Sequence, residues 1–480
     1  SSDLPDRLSY QCRVHVRKQI QARIGPTQPR SPELSQNPHP EMVNLTPSAD
    51  VSSYLRDLEK FGIKLGLDNM NLLCEALAHP ERTFKSLVIG GTNGKGSVAA
   101  MTEAALRADG YHTGRYTSPH LVRLEERISI AGKPITTREF DLAVETVRHA
   151  VNRLRREGRL EVSPTFFEVT TAAAFVAFRQ AEVELAVLEV GLGGRFDATN
   201  VVHPVGVAIT TIALDHEAQL GKSISDIAYE KAGVIKPNTV VVLGQTVPEI
   251  QDLIAATCRE RGARFIDSQQ GISVSVHCTP DATRLSLETP VRHYDQVSLG
   301  LQGRHQAVNA VTTVRLLEGL ACQGIKVSTP AIISGLTNVT WHGRLEWIKV
   351  PSGRVLLDAA HNPDAARALA EYLAEVRDAP LSFVLAIMRD KDIAGIIDML
   401  APLASHIVCT TMATERAISA SILADCVRER SPKTNVAIES DPQAAVALAL
   451  SDAPDTCATG SIFLVGHLLS TIEANENIRC

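Results

Sequence analysis

The stretch V-I-G-G-T-N-G-K-G-S-V, residues 88–98, decides how the rest of the chain is read. The apolar run "SLVIGG" (86–91) has the character of a buried strand and leads directly into glycines. A helical pattern follows over 97–109, with Gly110 as its stop signal. A loop between a buried strand and a helix is where open α/β sheets bind phosphate, because backbone N–H groups and the helix N-terminus converge there. The usual P-loop places a glycine five residues before Gly-Lys-Ser/Thr. Here Ile89 occupies that first position and Gly96 separates Lys95 from Ser97. The stretch is therefore a plain Gly-rich turn or a different phosphate loop, in which Lys95 supplies the charge and Ser97 a magnesium-ligating hydroxyl.

Outward from this loop, short apolar runs alternate with helical segments. "ELAVLEV" (184–190), "GVAITTI" (206–212) and "TVVVLG" (239–244) are β-branched runs, with helical patterns at 166–179 and 224–235 between them. A second alternating set has strands expected at 354–358, 381–387, 405–410 and 461–466, with helices at 363–376 and 419–428. The alternation implies α/β architecture with a mainly parallel sheet. The expected division is an extension over 1–43, a nucleotide-binding domain over 44–338, a linker over 339–347 and a smaller Rossmann-like domain over 348–480. The extension is set apart by "GPTQPRSPELSQNPHP" (25–40). Its arginines hint at a transit peptide, which Asp3 and Asp6 oppose.

Composition narrows the function. The 480 residues are 44% hydrophobic and 21% charged, ordinary for a soluble globular enzyme. A net charge of −6 gives no polybasic signature, so neither nucleic acid nor an anionic membrane is an expected partner. No apolar run reaches the roughly 18 residues of a membrane helix. The nine cysteines fall in no ligand-like spacing, against a structural zinc site or a disulfide framework and in keeping with the cytoplasm.

Candidate chemistry lies at the strand ends. Glu189 closes one run and Asp215-His216 follows the next; with Ser97 they place three metal-capable groups where neighbouring strand ends meet. Alone, each is more often a salt-bridged or structural residue. Gly191, Gly193 and Gly194 favour a tight turn. Lys231 sits in an otherwise apolar helix, either snorkelling to water or buried with a depressed pKa and open to covalent modification. Asp358 and His361 in "DAAHNP" read equally as site residues or as a helix cap, with Pro363 suited to the first helical turn. Arg344 is placed to clamp a phosphate across an interdomain cleft.

"GTNGKGS", "TSPHL", "LEVGLGGRFDATN", "LDHEAQLG", "YEKAGVIKP", "WHGRLEW" and "DAAHNP", in this order and spacing, resemble the folylpolyglutamate synthases and bifunctional dihydrofolate synthases of the Mur ligase superfamily. The resemblance runs over about 46–480 and identifies the loop as the Mur-type P-loop, with Gly-Lys-Gly-Ser in place of Gly-Lys-Ser/Thr. It implies a P-loop ATPase domain followed by the Rossmann-like domain. It implies ATP contacts from Gly91, Thr92, Asn93, Gly94, Lys95, Gly96, Ser97, Asn309, Arg344 and Asp358. Two Mg2+ ions are implied, one on Ser97 and Glu189, the other on Glu189, His216 and a carbamate carried by Lys231. Lys95, His216, Lys231 and His361 become the catalytic set, and Thr165, Phe167 and Asp197 line the folate pocket. The implied reaction adds L-glutamate to a folate or dihydropteroate carboxylate in a monomeric enzyme. His342 replaces the proline of many relatives. The rival readings are a Mur ligase acting on a UDP-linked precursor, for which too few residues precede the loop, a nucleotide-driven switch that makes no product, and a degenerate binding module.

Overall fold

The computed structural model describes residues 47–474 except 60, 61, 63–65 and 378. The expected extension over 1–43 lies outside the described residues.

The strands are β1 (Lys85–Gly90), β2 (Thr113–Tyr116), β3 (Ile128–Ile130), β4 (Lys133–Pro134), β5 (Leu185–Glu189), β6 (Gly206–Ile209), β7 (Val240–Leu243) and β8 (Arg264–Asp267). They form one eight-stranded sheet in the order β4-β3-β2-β5-β1-β6-β7-β8. The six strands from β2 to β8 are mutually parallel, and β3 and β4 add an antiparallel edge. β1 and β5 are apolar along their length because both faces are covered. Val88, Leu188 and Val207 point into one core with helices Thr137–Arg156 and Phe166–Gln180. Leu87, Ile89, Val187 and Ala208 point into the other, with helices Lys95–Ala108, Arg304–Gly319 and Thr329–Asn338. The order matters for function: β1 lies between β5 and β6, so the loop after β1 emerges between the strand ending in Glu189 and the strand leading to His216.

The helix expected to begin at Ser97 begins at Lys95, with Gly94 in the left-handed region (φ 87°) as its N-cap. Three further strands, β9 (Ser273–Cys278), β10 (Thr283–Glu288) and β11 (His293–Leu299), form a small antiparallel sheet that the sequence reading lacked. In "TRLSLE" the signal is Leu285 and Leu287 alternating with polar residues, not a continuous apolar run.

The second large sheet contains β12 (Glu346–Val350), β13 (Gly353–Leu357), β14 (Leu381–Leu385), β15 (Ala404–Cys409), β16 (Asn435–Ile438) and β17 (Asp455–Thr459), ordered β12-β13-β17-β14-β15-β16. Only the β12–β13 pair is antiparallel. β12 starts inside the stretch read as a linker. The strand expected at 461–466 is instead the start of helix Ile462–Ala474. The strand is β17, "DTCAT", whose polar residues are buried between β13 and β14. Gly460 (φ 94°) turns the chain, and Ser461 Oγ accepts the N–H of Phe463 at the helix entry. A short apolar run cannot be assigned to strand or helix by periodicity alone. Among the described residues no helix is long and apolar enough to cross a membrane.

Candidate active site

The Gly-rich loop after β1 is held by residues just past the end of β6. Thr92 N–H donates to Thr211 O (2.7 Å), and the Thr210 hydroxyl donates to Asn93 O (2.6 Å). These bonds fix the loop so that the helix N-terminus opens into a cavity of about 1100 Å3. Lys95 Nζ donates to Thr92 O (3.0 Å), folded back onto its own loop. Gly94 admits no side chain, since a Cβ there would collide with the amide of Asn309. Asn309 is itself buried and donates to Gln306 Oε1 (3.0 Å), which sets its rotamer beneath the loop.

Ser97, Glu189, His216 and Lys231 all line this cavity. Glu189 lies level with Ile89 of β1 and is 5% exposed. Burial raises its pKa, opposed by the charges of Lys95, Arg344 and Arg115. Among the described residues its carboxylate accepts one hydrogen bond, from Ser118 N–H to Oε2 (3.2 Å). A buried carboxylate with an uncommitted oxygen suits a cation. His216 has a left-handed backbone (φ 53°) at the entry to the short helix Glu217–Leu220. Burial lowers its pKa, opposed by the Asp215 carboxylate 3.9 Å from Nε2 and reinforced by Lys391 and Lys95, which favours the neutral imidazole that ligates metals. Among the described residues no three His, Cys, Asp or Glu side chains form a cation cluster. A hydroxyl, one carboxylate and one imidazole leave coordination positions that Mg2+ characteristically fills with water and substrate phosphate.

Lys231 does not snorkel. It is 4% exposed and donates to Gly91 O (2.7 Å), pinning the loop from behind. Burial, then repulsion from Lys95, lowers its pKa to about 7.

The opposite wall comes from the second sheet. Asp358 accepts N–H bonds from Leu345 and Ala360, both 2.9 Å, and burial raises its pKa. His361 bonds Ala359 O through Nδ1 (2.8 Å); burial and Lys391 lower it to about 4. The cap of helix Pro363–Val376 is neither of these residues but Asn362, whose Oδ1 accepts Ala365 N–H (2.9 Å). Arg344 faces the cavity, and its charge offsets part of the upward shift that burial imposes on both Glu189 and Asp358.

The two walls touch where Asn93, an expected nucleotide contact, and Asp215 meet Asn362, Asp364 and Lys391, which carry no expected site role. Asn93 and Asn362 exchange side-chain amide bonds (3.3 and 3.0 Å), and Asn93 also donates to Asp364 (3.1 Å). Asp215 accepts from Asn362 (3.2 Å) and from Lys391 Nζ (2.8 Å). Burial opposes ionisation of Asp215, but the Lys391 bond and the neighbouring His216 hold it at about 2. Such pairs across long sequence separations leave no local signal.

Thr165, Phe167 and Asp197 also line the cavity. Two of them also have structural duties. Thr165 caps helix Phe166–Gln180 through a capping box with Glu168. Asp197 accepts from Leu192 N–H, Thr199 N–H and the Thr199 hydroxyl. Beside them Arg127 lies over the Phe166 ring (4.9 Å) and donates through Nε to His120 (3.0 Å), another pair without a sequence signature.

The family models that match are the Mur ligase middle domain over residues 89–317 and the Mur ligase glutamate ligase domain over 343–465. The chain is 34% identical to a dihydrofolate synthase/folylpolyglutamate synthase of Bacillus subtilis, covering 78% of this chain and 88% of the relative. It is 36% identical to that of Mycobacterium tuberculosis, covering 82% and 83%. The chain belongs to the folylpolyglutamate synthase/dihydrofolate synthase family of Mur ligases. As a member it is an ATP-dependent, amide-forming ligase. Solved family structures agree in fold. Mycobacterium tuberculosis folylpolyglutamate synthase complexed with ADP superposes with TM-score 0.82 at 34% identity, covering 88% of this chain and 98% of that one. E. coli FolC in complex with DHPP and ADP gives 0.80 at 30%, covering 90% and 99%. A bifunctional synthase with Mn, AMPPNP and L-glutamate bound gives 0.75 at 30%, covering 88% and 98%.

Proposed function

We propose that this ligase joins the amine of L-glutamate to the carboxylate of dihydropteroate or a reduced folate. The carrying observation is a single cavity whose one wall holds the phosphate loop, Glu189, His216 and Lys231, and whose other wall holds Arg344, Asp358 and His361. The acceptor carboxylate attacks the γ-phosphorus of ATP, giving an acyl phosphate and ADP. The glutamate amine then attacks the acyl carbon, phosphate leaves, and an amide remains.

This chain's residues act by positioning and charge neutralisation. The loop N–H groups and Lys95 hold the β- and γ-phosphates, with Arg344 opposing the negative charge that gathers as two anions meet. Asn309 sets the loop, and Asp358 orients the segment that carries Arg344. His361, neutral and facing the same cavity, would take the proton that the amine sheds. Thr165, Phe167 and Asp197 shape the end that takes the pterin. Ser97 and Glu189 would hold one Mg2+, and Glu189, His216 and a Lys231 carbamate a second; bound there, the ions supply further neutralisation of the triphosphate. The enzyme acts in the cytoplasm as a monomer.

ADP release measured with ATP, Mg2+ and glutamate, supplying dihydropteroate or tetrahydrofolate separately, tests this reading. Turnover is expected with at least one acceptor, each product heavier by one glutamyl residue. Release independent of both glutamate and acceptor would overturn the reading and favour the nucleotide switch.

A further inference from the structure

Gly96 separates Lys95 from Ser97, a departure from the usual P-loop pattern. Its φ lies outside the left-handed region, so the backbone does not require glycine there. It sits within the first turn of helix Lys95–Ala108, and glycine inside a helix costs about 1 kcal/mol relative to alanine. What the position lacks is room. A Cβ on Gly96 would lie 2.8 Å from Trp341 Cζ2 and 3.0 Å from Cε2. The indole therefore rests on the bare backbone of the phosphate loop.

Trp341 belongs to the segment joining the two sheets, between the end of helix Thr329–Asn338 and β12. It is gripped from a second side. The Arg115 guanidinium stands 4.9 Å from the ring centroid. Arg115 in turn faces Glu103 (3.6 Å), which lies on the helix that begins at the loop and accepts the Thr113 hydroxyl (2.6 Å). Just past Trp341 the chain is fastened again: Gly343 N–H and His342 Nδ1 both bond Glu346, each at 2.9 Å. Arg344 follows, facing the cavity.

We propose that Trp341 is a positioning residue that couples the phosphate loop to the interdomain segment, so that nucleotide in the loop sets Arg344 at the cleft. This rests on reading 91–97 as the ATP site. The indole bears on Gly96, Arg115 holds it there, and movement of the Gly96 backbone on phosphate binding passes to the turn carrying Arg344.

The chain has two tryptophans, so Trp347→Phe leaves Trp341 as the sole indole emitter. In that variant AMPPNP is titrated by calorimetry and by fluorescence. A saturable change in emission with the calorimetric midpoint is expected. Binding heat without an emission change would overturn the coupling alone; no binding heat would overturn the nucleotide reading and the coupling with it. Kinetics give a second test. Gly96→Ala is expected to lower turnover roughly 10²-fold by displacing the loop about 1 Å. Adding Trp341→Leu to Gly96→Ala makes room and should recover at least about 10-fold of that loss. Trp341→Leu alone should lower kcat with the KM for ATP little changed, and Trp341→Phe, which keeps a ring on Gly96, should stay near wild type. Failure of the double variant to recover any turnover would mean that the phosphate, not the indole, demands glycine, and would overturn the inference.

Discussion

Replacing Lys95 with alanine is expected to lower ligation by roughly 10²–10³-fold, the scale on which one preorganised electrostatic stabiliser contributes. An anionic carboxylate must approach an anionic triphosphate, and the loop's backbone dipoles carry only partial charges. Lys95 is the full positive charge on the loop itself. Its ammonium group donates to Thr92 O, a bond that a phosphate oxygen can replace when nucleotide arrives. That bond contributes about 1 kcal/mol to folding, so the variant should melt near wild type while ADP release collapses. Steady-state ADP release beside a thermal melt checks this. Activity within a few-fold of wild type would remove the loop from the chemistry.

Lys231→Ala is expected to cost a similar factor by a different route. Burial leaves the amine at about 7, against an ordinary value of 10.5, so near neutral pH a large share is unprotonated and able to take up CO2. The carbamate nitrogen keeps one N–H, so the bond to Gly91 O survives the modification. Wild-type activity should rise with pH through about 7, fall when CO2 is stripped, and return with bicarbonate. The alanine variant should ignore bicarbonate but regain part of its activity with formate or acetate, which restore a carboxylate to the vacated space. Stability provides a second reading. Between about 7 and 10.5 the unfolded chain holds the Lys231 proton and the folded chain does not, so stability rises with pH across that window. Below about 7 the folded state carries the full cost of a buried cation. The variant should lose this dependence, as pH-resolved melts would show. An alanine variant indifferent to small carboxylates, with wild type indifferent to CO2, would leave Lys231 only the structural task of pinning Gly91.

Much of this was legible in the sequence because parallel strands buried on both faces must be continuously apolar. Residues 86–91 and 184–190 announced themselves in that way, and the acid and imidazole at strand ends followed from the alternation. The adjacency of β5, β1 and β6 converts that sequence logic into one crevice. Other features had no such signature. β10 alternates, and β17 is buried while mostly polar, so neither resembles an apolar run. Thr165 reads as a pocket residue and Asp197 as another, yet both spend hydrogen bonds on local caps. The contacts of Asn93 with Asn362 and of Asp215 with Lys391 join residues far apart in the chain, where no spacing rule applies. Gly96 was visible from the start as an interruption of the P-loop pattern, but the lack of room for a Cβ beside Trp341 was not.

The most direct test is an anomalous-scattering crystallographic experiment on this protein with Mn2+ and AMPPNP. The expected map has a manganese peak between Ser97 Oγ and Glu189 in contact with the nucleotide phosphates, with His216 facing the same density. A map with the nucleotide ordered on 91–97 but manganese absent from all three side chains, or held elsewhere, would contradict the account.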